Sequence, residues 1–286
     1  MSKKFSILIF VLCVSLLSAQ LPDTDIWLFK IEKTKTDLKL SDPKNITNRP
    51  GYDNQPSFSN DSKKIYYVSI REDKQADFYF YDIGSKKNSQ LTKTKESEYS
   101  PVLTPNGKFL NSVVVESDSA QRIHFINSVT GISENKFDVD SVGYYTFLNS
   151  DTVLYYKLTN PHSLRYYVKS TNEDKWLGNN PTRAFKPLNR HAFIYGIKDS
   201  TKVTFYKYDF VLHKAEKYSE YPTSSEDAIW HEQHGLVKSE ANKLLRYDDA
   251  KKEWVLLFDL STFGIKKITR FNFDPKNKYL VIVDNL

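Results

Sequence analysis

The chain has 286 residues, a formal net charge of +6, nineteen Tyr and eighteen Phe against nine Gly, and one cysteine. Lysines and acids are interspersed, with no block of five like charges, so the basic patch of a nucleic-acid or anionic-lipid binder is excluded. With Cys13 the sole cysteine, intrachain disulfides, cysteine nucleophiles and cysteine metal sites are excluded downstream of it.

Met1-Ser2-Lys3-Lys4, an apolar run from Phe5 to Leu17 and then Ser18-Ala19-Gln20 have the order of a secretory signal peptide. The run is short for a bilayer span. The expected cut follows Ala19, which leaves residues 20–286 as a single domain with no transmembrane span and lowers the charge from +6 to +4. An uncleaved anchor is the alternative; the polar flank Gln20-Leu21-Pro22-Asp23 argues against it. Cys13 follows Leu12, not the small residue a lipoprotein signal needs, and reads as an apolar side chain. The expected address is the periplasm or the exterior.

From here the chain reads as strands, since Tyr and Phe favour the pleated surface. "DIWLFKI" (25–31) is the first. From Ile46, "ITNRPGYDNQPSFSNDSKKIYYVS" holds two alternating runs hinged at Asn60-Asp61-Ser62. Forty-five residues later the pattern returns: Ile46 falls on Leu91, Thr47 on Thr92, Pro56 on Pro101, Phe58 on Leu103 and Lys63 on Lys108. The hinge of this second copy is Pro105-Asn106-Gly107, a strong hairpin signal because Asn and Gly tolerate positive φ. Weaker copies follow as "YTFLNSDTVLYYKL", "RAFKPLNRHAFIYGI", "AIWHEQHGLVKS" and "RFNFDPKNKYLVIV".

The apolar residue before each turn serves as a marker: Phe58, Leu103, Phe147, Phe185, Ile229 and Phe273, spaced by 45, 44, 38, 44 and 44. Most spacings approach the roughly 40–45 residues of a four-stranded propeller blade. Each copy but the last adds a later alternating strand, at 77–83, 121–127, 163–170, 203–210 and 243–248. The last copy lacks its outer strands, while 25–31, similar to "DFYFYDI" at 77–83, precedes the first. The expected fold is therefore all-β: a six-bladed β-propeller of four-stranded blades, closed by the N-terminal strand joining the last blade. A pair of β-sandwiches is the alternative for so many regular strands.

"QPSFSNDSKKIYYVS", "SPVLTPNGKFLNSVV" and "FNFDPKNKYLVIV" resemble the WD40-like repeat of TolB-type exported bacterial propellers, roughly P-x-[FWY]-S-P-D-G-K-x-[ILV]. Copies three to five depart at the turn, with Asn149-Ser150-Asp151, Leu188-Asn189-Arg190 and Glu232-Gln233-His234. The resemblance implies a secreted or periplasmic binding scaffold. Its repeat residues are turn formers and blade-core side chains, so it transfers no chemistry.

No G-x-S-x-G nucleophile elbow is present. His231-Glu232-Gln233-His234 spaces its histidines by three where the zinc-peptidase helix needs four, and falls on a turn, so a surface turn is expected. His124 reads as a packed or edge residue. Asn45-Ile46-Thr47 is a formal glycosylation sequon of little weight in a bacterial exported chain.

Propeller sites form where inner strands begin. The expected rim comprises Tyr52 and Asp53; Glu96, Glu98 and Tyr99; Tyr144; Arg183; Glu226 and Asp227; and Arg270, with Glu116 and Asp118 on a loop of the same face. Tyr gives area with a polar tip and Arg gives paired donors, a mixture suited to polar ligands or protein segments. Glu98 and Glu116 are expected to be near neighbours, with Glu98, Tyr99 and Glu116 meeting a cationic or donor partner, or else with Arg122 pairing locally. The expected function is a non-catalytic, monomeric scaffold for a protein or cell-envelope component, with no nucleic-acid partner, cofactor or catalytic residue. The alternative is a propeller hydrolase or lyase, lactonase-like or glycan-processing, with carboxylates around a channel cation such as Ca2+, which no motif supports.

Overall fold

The computed structural model describes residues 21–34, 38–222 and 227–286. The expected signal peptide and Glu226 lie outside the described residues. The chain is all-β, with one short 3-10 turn at Ser261–Phe263 and no α-helix among the described residues.

Four antiparallel four-stranded sheets follow one another: Ser97–Leu103 to Ser133–Phe137, Val142–Phe147 to Glu173–Asn179, Pro181–Asn189 to Lys214–Pro222, and Ala228–His231 to Glu253–Asp259. A further sheet joins two antiparallel sets of four. One runs Tyr52–Phe58, Lys64–Ile70, Ala76–Asp82, Lys87–Gln90. The other runs Ile268–Phe273, Tyr279–Asn285, Thr24–Lys33, Leu38–Asn45. Their link is one parallel contact, Thr24 beside Tyr52. The N-terminal strand therefore lies antiparallel to the C-terminal one, from Thr24 opposite Asn285 to Lys30 opposite Tyr279.

A buried apolar cluster lies between each consecutive pair of four-stranded sets. Tyr66, Val68 and Phe78 meet Leu110, Val114 and Ile126. Ile194, Val203 and Phe205 meet Leu236 and Tyr247. Ile26, Leu28, Val281 and Val283, from the chain's two ends, meet Ile65, Tyr67, Tyr79 and Tyr81. Burial of these side chains at about 1.5–3 kcal/mol each dominates the attraction between sets.

The turns explain themselves. Gly107 N–H donates to Thr104 O (2.8 Å), and Gly107 alone in that turn has positive φ (71°). Asn106 does not use the left-handed region: its Oδ1 accepts from Lys108 N–H (3.0 Å) and Thr104 Oγ1 (2.8 Å). The result is a type I turn closed by a left-handed residue, within a four-residue connection, Pro105 to Lys108, between the paired Thr104 and Phe109. Ser62 (φ 62°) and Asn277 (φ 52°) take the same place in the first and last copies.

The register corrects two markers. Phe58, Leu103, Phe147 and Phe273 lie opposite Ile65, Leu110, Val153 and Leu280. The residues opposite Phe193 and Leu236 are Pro187 and Trp230, not Phe185 and Ile229. The spacing then runs 45, 44, 40, 43 and 43. Register shifts between Pro181 and Phe185 and between Pro187 and Asn189 displaced the fourth copy.

Candidate binding site in the central channel

The first strand of every set lines one cavity of about 180 Å³. The residues opposite Tyr66, Asn111, Leu154, Ile194, Val237 and Val281 form a tier around it: Ser57, Val102, Thr146, Lys186, Ile229 and Asn272. Lys186 is the one ionisable member. Its side chain is open to channel water yet walled in by the surrounding strands, and burial pulls its pKa below the ordinary lysine value. No acceptor for its ammonium is found among the described residues.

Toward the strand starts lies a second group. Arg183 Nε donates to Asp227 Oδ1 (3.0 Å) and Nη2 to Thr269 O (2.7 Å). Asp227 Oδ2 also accepts from Phe271 N–H (3.1 Å). Arg270 Nη2 donates to the Tyr144 hydroxyl (3.0 Å), and its guanidinium lies 5.4 Å from that ring's centroid. Burial opposes ionisation of Tyr144, but Arg270 and Arg183 outweigh it and hold the phenol below its ordinary pKa. Tyr52, raised chiefly by burial, sits against the same group, with Gln55 Nε2 directed at its hydroxyl (3.4 Å). Gln55 Oε1 accepts from Ser100 N–H (2.5 Å), and the Tyr145 hydroxyl donates to Ser100 O (3.1 Å). Gln55 and Ser100 both have φ near 57°, marking a shared bulge that turns the backbone into the channel.

The structure thus brings Tyr52, Tyr144, Arg183, Asp227 and Arg270 together. It assigns other tasks to the remaining rim residues. Asp53 is fully buried and accepts from Arg49 Nη1 (3.1 Å); burial raises its pKa. Glu98 is buried and faces the preceding set, accepting from the hydroxyls of Thr92 (3.0 Å) and Thr94. The Asp77 carboxyl lies beside it, and burial, reinforced by Asp77, pushes the Glu98 pKa up to about 7. Tyr99 is half-buried between apolar clusters. Glu96 has only backbone contacts to Thr94.

Glu116 leans outward along its own sheet to Arg122, His124 Nε2 (2.8 Å) and Lys136 Nζ (3.1 Å). Asp118 lies 3.7 Å from Arg122. The expected Glu98–Glu116–Tyr99 constellation does not form: no hydrogen bond or ion pair links Glu98 with Glu116 among the described residues. The Glu116–Arg122 pair orders the loop instead. His124 is packed, its Nδ1 2.9 Å from Ser133 Oγ.

At the opposite, turn end of the channel, His231 and His234 stack at 4.7 Å against Phe273. Burial pulls His231 down to about 4 and lowers His234 as well; both rings pack on Phe273, and His234 Nε2 lies 2.9 Å from Asn277 Oδ1. Among the described residues no three of His, Cys, Asp and Glu converge as a metal site.

Sequence reasoning missed Lys186. With Phe185 as the marker, Lys186 falls in the turn; the register places it in the channel. The Arg183–Asp227 pair was legible as a basic and an acidic residue 44 apart, close to one repeat.

No family model matches the sequence, and no curated protein matches it. Solved structures do match. A TolB candidate from Agrobacterium tumefaciens is 10% identical with a TM-score of 0.65, over 93% of this chain and 99% of that one. An oligogalacturonate lyase in complex with manganese is 12% identical with a TM-score of 0.56, over 87% and 82%. A chain of a nidogen/laminin complex is 9% identical with a TM-score of 0.57, over 91% and 98%. At these identities the likeness establishes the fold: the chain is a β-propeller of TolB-like architecture. Among the described residues no helix is long and apolar enough to cross a membrane.

Proposed function

We propose that the protein is an exported, non-catalytic propeller of six blades, closed by Thr24–Lys33, that acts as a monomeric scaffold and holds a protein or cell-envelope component at the strand-start mouth of its channel. The antiparallel seam between the chain's two ends supports closure. The observation that carries the binding reading is the cluster of Tyr144, Arg183, Asp227 and Arg270, which departs from the repeat and lines one cavity, with Tyr52 set against it. Side chains that serve a blade recur from copy to copy; these do not. The charge balance speaks against the cation-centred alternative. Among the described residues, Arg183, Arg270 and Lys186 face one carboxylate, Asp227, a set that repels a divalent ion. The lyase-like alternative keeps one specific support, a phenol of lowered pKa between two guanidiniums at Tyr144.

Capture from envelope extract with wild type and with Tyr144→Ala/Arg270→Ala tests the reading. Wild type should retain a partner that the double variant loses while melting normally. A folded double variant that keeps every partner overturns it. Release of unsaturated product from uronate oligomers, lost in Tyr144→Phe, would establish the enzyme reading in its place.

A further inference from the structure

The channel carries an imbalance of charge that the blades do not need. Arg183 has its counter-ion in Asp227. Arg270 and Lys186 line the same cavity, and no carboxylate among the described residues reaches either. Among the described residues, the Arg270 guanidinium is engaged by the hydroxyl and ring of Tyr144. Lys186 replaces, in one blade, what is Ser57, Val102, Thr146, Ile229 or Asn272 in the others. An ammonium facing channel water between close strand walls, with no carboxylate beside it among the described residues, contributes nothing to packing the blades. A net positive lining around a narrow opening also focuses potential on the cavity. The surroundings are fixed in advance: Gln55, Ser100 and Tyr145 hydrogen-bond from blade to blade, and Asp227 ties Arg183 to Phe271. A volume of about 180 Å³ admits one small planar group and a linker, not a folded surface.

We propose that the channel is a carboxylate-binding pocket in which Arg270 and Lys186 take the terminal or side-chain carboxylate of an acidic peptide segment, with Tyr144 and Tyr52 flanking it at the mouth. A guanidinium presents paired donors to a carboxylate, while an ammonium supplies a point charge that follows it. The peptide source rests on the scaffold reading above; the carboxylate chemistry does not.

The test has two arms. In the first, wild type is titrated with malonate and with malonamide at constant ionic strength, by calorimetry or chemical-shift perturbation. Malonate should bind saturably and malonamide should not. Lys186→Met and Arg270→Gln, each checked by melting, should weaken malonate about tenfold or more. Equal response to acid and amide, or malonate binding by folded Lys186→Met as tight as wild type, overturns the proposal. In the second arm, a short peptide ending in Asp-Asp is compared with its fully amidated form. Preference for the free acid supports a peptide source, and no preference overturns that source. If malonate fails while envelope partners are still captured through Tyr144 and Arg270, the pocket assignment falls and the scaffold reading stands. If malonate binds and nothing is captured, the scaffold reading falls instead.

Discussion

The two ends of the channel are built from the same hairpins and differ in what their side chains do. At the turn end, polar groups bond from one copy to the next. Asn60 Nδ2 donates to Thr104 O (2.8 Å), Ser62 Oγ to Asp274 Oδ2 (2.6 Å), and Asn277 Nδ2 to Gln233 Oε1 (2.8 Å). Asp274, fully buried, also accepts from the backbone N–H of Lys276 (3.1 Å), Lys278 (2.5 Å) and Tyr279 (2.6 Å). Toward the strand-start end, Arg270 and, in the tier beside it, Lys186 have no carboxylate partner among the described residues, while Tyr144 borders the cavity and Tyr52 lies against it. The first end follows the repeat and stabilises; the second departs from it and leaves interactions unmade. Residues that a fold does not need, kept where they cost stability, mark function.

The sharpest way to break this comparison is to remove its frame. Deleting residues 21–33 takes away a strand carrying buried Ile26, Leu28 and Phe29, and bares the Tyr279–Asn285 edge. At roughly 1.5–3 kcal/mol per side chain, the loss is on the order of 5–8 kcal/mol, comparable with the whole stability of a domain. The truncated protein should aggregate or lose cooperative melting by light scattering and calorimetry. A monomer with an unchanged melting temperature would end the closed-ring reading.

Next in size is Asp274→Ala. It leaves three backbone N–H groups and Ser62 without their acceptor, an expected loss of roughly 3–5 kcal/mol. The melting temperature should fall on the order of 10 °C, with the malonate affinity of the folded fraction unchanged. A large affinity change without loss of stability would mean that the two ends are not separate in role.

How much of this was legible in the sequence follows the same division. The period of 45, the hairpin turns and the pairing of the N-terminal strand were readable, because turn formers and alternating apolar residues act locally and recur. The channel was readable only in part. Tyr52, Tyr144, Arg183, Asp227 and Arg270 could be placed because their copies kept register. Lys186 could not, because Pro187, a residue without an N–H, lies opposite Phe193 where Phe185 had been taken as the marker. Glu98 and Glu116 were correctly placed on one hairpin but wrongly joined. Strand pairing fixes where a Cα lies; which way a long side chain leans depends on what lies beyond the hairpin: Asp77 of the preceding set for Glu98, and Lys136 on the outer strand of its own sheet for Glu116.

Glu98 also shows that a strand-start acid can belong to the structural side of the comparison. Asp77 Oδ1 is buried with no hydrogen-bond partner among the described residues, and the carboxyl beside Asp77 is Glu98, held near pKa 7. Protonation of Glu98 would remove the repulsion between the two carboxyls and give the pair a donor. The folded state then holds a proton that the unfolded chain releases above about 4.5. Stability is full below that value and is lost as pH rises through about 7, by up to about 3 kcal/mol. Urea midpoints should fall across that window, and Glu98→Gln, which keeps a donor, should flatten the fall. A wild-type midpoint that rises from pH 5 to 7, unaltered by Glu98→Gln, would remove the carboxyl pair from the account.

The smallest effect has the opposite sign. Lys186 holds a charge that faces channel water between close strand walls, with no acceptor among the described residues, and those surroundings lower its pKa. Lys186→Met keeps a flexible stem of similar reach and removes the charge. Relief of desolvation should therefore raise stability slightly, by roughly 1 kcal/mol or less, since channel water screens part of the cost. That corresponds to a rise of about 1–4 °C in melting temperature. The same substitution should weaken malonate about tenfold or more. Stability up and affinity down is the signature of a residue kept for binding at the expense of the fold. A Lys186→Met variant that melts several degrees lower would instead show Lys186 holding the blades together. The strand-start end would then be stabilising like the turn end, and the contrast between them would disappear.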